Sequence, residues 1–214
     1  MIDKLIDKLL DLVIAFFRNR QNRDKLVFNN LVAPAFSALE DIHTYYISQF
    51  HKYRDRLTNK DVAIEELIDQ IEADCRFSEQ HRIKLRELSG EAIQQYPEYK
   101  ELFEAIYWYL TAVVDVDEMR SVPFFYQTGQ RWFTGLISAL KALLLAAHGK
   151  PLAANTSNLI RETVQEVLAN EPEVRLATLR LIDGYTDNVQ AFYANVSRHY
   201  AEAVVRHSAD KKPA

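Results

Sequence analysis

Five glycines serve all 214 residues, and three of them, Gly90, Gly135 and Gly184, sit inside stretches whose apolar residues recur every three or four positions. Hairpins need residues at positive φ, and loops that wrap a phosphate need glycine so that the backbone can approach it. A chain this poor in glycine disfavours a β-sandwich, a nucleotide-binding βαβ unit and a phosphate loop together. Long helices with short connections remain.

The expected fold class is therefore all-α: a single multi-helix bundle of about eight helices, with a long second and a long last helix around two apolar central ones. The first helix spans 3–18, with Ile2, Leu5, Ile6, Leu9, Leu12, Val13 and Phe16 on one wide stripe. The second runs to Leu57 along Phe28, Leu31, Ala35, Leu39, Ile42, Tyr46, Phe50 and Tyr53, and Pro34 is expected to kink or break it. Caps at Thr58 or Asn59 and at Ser78 predict a third helix over 61–75 and a fourth to Gln95. The fifth, over 99–116 after Pro97, and the sixth, from Pro123 to Ala147, are the apolar pair. Trp108, Leu110, Leu136, Leu140 and Leu144 are their expected core.

The run His148, Gly149, Lys150, Pro151 has the order of a helix stop. A weak internal boundary is expected at 150–157, followed by helices over 156–170 and from Pro172 to His207. One domain is expected over 1–207, with a disordered tail at 208–214.

Charge and cysteine content narrow the setting. A net charge of −4 gives no basic field, so nucleic acid is not the expected partner. Cys75 is the single cysteine and can form no internal disulfide, which fits a reducing, cytoplasmic compartment. The best apolar run, Leu136 to Ala147, contains Lys141, so no transmembrane segment is expected.

Three constellations carry chemistry-bearing residues. Glu40 and His43 form a Glu-x-x-His spacing, which puts a carboxylate and an imidazole on one helix face, as in carboxylate-bridged metal bundles. Such sites need a second pair, and none occurs, so His43 is read as a hydrogen-bonded histidine at the core edge. Arg76 and His81 match the spacing of the HEPN ribonucleases, in which a histidine acts on a ribose hydroxyl and an arginine holds the phosphate. With six histidines in the chain, chance supplies such a spacing readily. Asp115, Asp117 and Glu118 offer oxygen ligands to a hard cation, although a local ion pair with Arg120 or Arg131 explains them better.

The favoured function is a non-enzymatic helical interaction or regulatory protein that binds a protein partner through an aromatic surface. Arg120, Phe124, Tyr126, Arg131 and Trp132 are the expected anchors, because interfaces concentrate their energy in aromatic and arginine side chains. No cofactor is expected. Peripheral membrane attachment through residues 1–18 and a HEPN-like ribonuclease are the alternatives.

The first helix carries an apolar stripe wider than a lone surface helix needs, so it is expected to dock on the domain or on a second copy, making a homo-oligomer. Deleting residues 1–20 is expected to turn a dimer into a monomer or to cause aggregation. Light scattering coupled to size-exclusion chromatography checks this; a monomer before and after deletion, with unchanged stability, contradicts it.

Overall fold

A computed structural model describes residues 27–59, 62–111, 132–154, 156 and 158–209, apart from the side chains of 76–78, 159 and 209. About 90% of the structure is helical. No strand occurs among the described residues. A π-helical turn, Phe28–Val32, leads into α1 (Ala33–Thr58), and α2 (Ile64–Gln95) follows. A 3₁₀ turn, Pro97–Tyr99, opens α3 (Lys100–Thr111). Then come α4 (Trp132–Ala147), α5 (Asn158–Asn170) and α6 (Val174–Ala209). Gly90, Gly135 and Gly184 all lie within helices.

Pro34 neither breaks nor ends its helix. The wide turn lies immediately before it, and the Ala33 amide reaches back to the Phe28 carbonyl. A π turn thus sits where proline withholds its own amide. The third and fourth expected helices are one helix, α2. Ser78 was expected to start a new element, but the buried line of α2 continues past it through Arg82, Leu85, Ser89 and Ala92. Ser89 survives inside because its hydroxyl donates to the Leu85 carbonyl at 2.7 Å. Arg82 is 4% exposed, has Glu79 at 3.7 Å, and leaves Nη2 without a hydrogen bond.

α4 stops as its sequence indicates. Gly149 takes φ +64°. Its amide donates to the Ala146 carbonyl at 3.0 Å and the Lys150 amide to Leu145 at 2.8 Å, the paired bonds of a Schellman stop. In the connection that follows, Arg161 donates from Nε to the Thr156 carbonyl and from Nη2 to that of Ala153. Among the expected core residues, Leu110, Leu136 and Leu140 are buried, whereas Trp108 and Leu144 are half-buried; Tyr109 and Leu143 occupy the inward positions beside them. The first helix falls outside the described residues, and α6 extends through Ser208 into the expected tail.

Contacts group the chain into two compact units. The first comprises residues up to Tyr45, 78–110 and 191 onward; the second comprises 46–77 and 111–190, which includes 150–157. In the second unit, Phe133 of α4 meets Tyr46, Phe50 and Tyr53 of α1 edge-on, at centroid distances of 5.0, 5.6 and 6.1 Å. All four rings are buried. Tilted aromatic pairs of this kind add about 0.5–1.5 kcal/mol beyond the area they bury. The Tyr53 hydroxyl is satisfied by donating to Asp74 Oδ2 at 2.8 Å, and Gln70 Nε2 donates to the same oxygen at 3.1 Å. Arg175 closes the end of α1 by donating from Nε to the Leu57 carbonyl at 2.7 Å.

Gly135 lets α4 approach Tyr185 of α6. A Cβ at residue 135 would lie 3.0 Å from the Tyr185 hydroxyl oxygen and 3.2 Å from its ring, and Tyr185 is buried and cannot retreat into solvent. Gly90 and Gly184 have no heavy atom within 4 Å of such a Cβ. Gly135→Ala is expected to destabilise by about 1–3 kcal/mol through overpacking. Gly90→Ala and Gly184→Ala are expected to stabilise by about 0.5–1 kcal/mol, because alanine is the better residue within a helix. Urea denaturation of the three variants tests the opposite signs.

Candidate functional site

In the first unit, α1 buries Ala35, Ala38, Leu39 and Ile42, and α6 buries Phe192, Val196 and Ala203. Beside this apolar line runs a half-buried row of rings: Phe36 and His43 on α1, Tyr193 and Tyr200 on α6. Each pair is seven residues apart, close to two helical turns, so each stays on one face. The rows meet in antiparallel order. Phe36 stacks on Tyr200 with centroids 3.8 Å apart and planes at 0°; His43 stacks on Tyr193 at 3.8 Å and 4°.

The row continues to His207, which stacks on Phe28 at 4.4 Å and 10°. Phe28 lies eight residues before Phe36 rather than seven. The π turn between them takes up the extra residue.

His43 also shares a 3.0 Å hydrogen bond between Nδ1 and the Tyr109 hydroxyl of α3. Burial lowers its pKa to about 4, so its imidazole is neutral at neutral pH. Glu40, one turn earlier and exposed, accepts from the Tyr193 hydroxyl at 3.4 Å. Burial raises the Tyr193 pKa and the Glu40 charge raises it further; Tyr200 is raised by the same two causes in the same order. Asp41 is likewise raised, by burial and then by Glu40. Glu40 and His43 therefore engage different tyrosines instead of converging on one point. His43 is the hydrogen-bonded core-edge residue that the sequence indicates.

A second cluster lies where α3 begins, against the last turns of α6. Ligand atoms of Glu101, His199 and Glu202 come within 4.8 Å of one another. Arg206 spans the cluster's edge, donating from Nη1 to the Glu98 carbonyl at 3.0 Å and placing Nη2 3.5 Å from Glu101 Oε2. None of Glu101, His199 and Glu202 stands among the candidates drawn from the sequence. The available signal was His199-x-x-Glu202, which reverses the Glu-x-x-His order, and Glu101 is remote in sequence.

Arg76 and His81 lie in the middle of α2 rather than at a helix start, and the side chain of Arg76 is outside the described set. Trp132, expected to be partly exposed, is fully buried as the first residue of α4, because the apolar face of that helix begins with it. Asp115, Asp117, Glu118, Arg120, Phe124, Tyr126 and Arg131 lie outside the described residues. Compared with known proteins, the chain matches no family model, no curated sequence and no solved structure. Among the described residues no helix is long and apolar enough to cross a membrane.

The neutral His43 links stability to pH. Between its ordinary value of 6.5 and its folded value of about 4, the unfolded chain binds a proton at this position that the folded chain does not. Its contribution is intact above that window and is lost as pH falls through it. His43→Gln is expected to make the acid-side loss of stability shallower than in the wild type over this window. Parallel denaturant titrations at stepped pH provide the comparison, and superimposable profiles contradict the assignment.

Proposed function

We propose that the protein is a non-enzymatic helical interaction module of the cytoplasm, which binds a protein partner through Arg120, Phe124, Tyr126 and Arg131. The observation that carries this reading is the fate of the Glu-x-x-His pair. His43 is stacked on Tyr193 and bonded to Tyr109, and Glu40 takes the Tyr193 hydroxyl, so the pair serves to fasten helices together. The burial of Trp132 modifies the anchor set. It acts as a root for α4, and the segment before it supplies the contact residues. Self-association through residues 1–18 belongs to the same proposal, since their wide apolar stripe needs a cover.

The test begins with a partner recovered by pull-down. Arg120→Ala, Phe124→Ala, Tyr126→Ala and Arg131→Ala are then titrated against it by calorimetry, with circular dichroism to confirm folding. At least one central position is expected to lose about 2 kcal/mol or more, the signature of an interface hot spot. Wild-type affinity in all four folded variants would place the binding surface elsewhere.

A further inference from the structure

We propose that Glu101, His199 and Glu202 bind a divalent transition-metal ion. The site uses none of the residues proposed to bind a protein partner, and the two stand or fall separately.

The donor chemistry suits such an ion: one imidazole nitrogen and two carboxylate oxygens, with room left for water, is a ligand set that zinc and its neighbours accept. The spacing suits it too. Three atoms within 4.8 Å of one another leave a central point no more than about 2.8 Å from each, against bonds of about 2.0–2.2 Å. Closure therefore needs side-chain movements below an ångström. His199 and Glu202 are three residues apart on α6, hence on one face, and Glu101 comes from the first turn of α3, so two helices fix the ligands.

Two further observations point to an occupant. These three residues line a cavity of about 10 Å³, and Arg206 is also part of its wall. That is close to the space one water or one ion takes. His199 Nδ1 is shielded from solvent and makes no hydrogen bond, although Glu202 Oε2 is only 3.3 Å away. A bond to a metal ion would satisfy a ring nitrogen in this state. Arg198 Nη2 lies 3.4 Å from Nε2 and donates to Asn195 Oδ1 at 2.7 Å. When Nδ1 binds the ion, the imidazole proton resides on Nε2 and Arg198 remains on Asn195.

Arg206 acts as the counter-ion of the metal-free site. Its guanidinium stands 3.5 Å from Glu101 Oε2, and its side chain is 56% exposed, free to turn outward when an ion replaces its charge. Zinc and Arg206 thus compete for Glu101. Without the arginine the site should bind the ion more tightly.

The test uses the full chain at neutral pH, with Zn²⁺ followed by calorimetry and Co²⁺ by visible absorption. One equivalent is expected to bind, and Glu101→Gln and His199→Ala are each expected to weaken it by roughly tenfold or more. Glu101 is well exposed, so the first of these variants keeps the fold even if the second does not. Arg206→Gln is expected to tighten binding, and His51→Ala, an exposed position that belongs to the second unit, to leave it unchanged. No binding up to about 1 mM metal, or equal affinity in the wild type and Glu101→Gln, overturns the proposal. Unchanged affinity in Arg206→Gln overturns the role given to the arginine.

Discussion

Two antiparallel helices keep a row of rings in register only if both advance by the same repeat, and the first unit depends on that condition. Tyr193, Tyr200 and His207 are spaced by seven, as are Phe36 and His43, so stacking at one level places the next level correctly. This phase decides which face of α6 looks toward α3. It brings His43 within reach of Tyr109, holds the imidazole neutral, and turns His199 toward Glu101. Flat rings at 3.8 Å also tolerate less sliding than aliphatic side chains do, because the overlap is lost over a short distance.

The second unit solves a similar packing problem differently. Phe133 stands edge-on to three rings of α1, which fixes position in two directions and leaves the Tyr53 hydroxyl to be met by Asp74. One polar atom of this unit stays unmatched, since Arg175 keeps its Nη2 buried without a hydrogen bond. In the first unit, Arg82 of α2 is likewise buried with one nitrogen unmatched, the kind of arrangement whose desolvation costs stability unless it is compensated.

Much of the architecture was legible in the sequence, for physical reasons tied to particular residues. Scarce glycine and three-to-four spacing indicated helices throughout, and His148 to Pro151 indicated the Schellman stop after α4, since only glycine accepts that φ without strain. The union of two expected helices into α2 was not legible. Its buried line passes through Arg82 and Ser89, and a stripe of polar residues reads as a surface. Trp132 was misplaced because Arg131, Trp132 and Phe133 read together as an arginine-aromatic interface cluster, whereas its burial is set by the face of α4. The His199 cluster escaped notice because a fold, and no local spacing, unites residues from the two helices.

The π turn before Pro34 has a consequence for anything that precedes it. A wide turn spends one residue more than an α turn for nearly the same rotation about the axis, so it works as a phase shifter. Downstream of it the sevenfold frame that begins at Phe36 runs unbroken; upstream, the frame is displaced by one, which is how Phe28, and not Asn29, reaches His207. A single-residue deletion within 28–32 that restored the ordinary turn would leave the rotation across the segment nearly unchanged and keep the ring row intact on both sides of it. The segment is therefore a place where the chain can lose a residue without turning Phe28 away from His207.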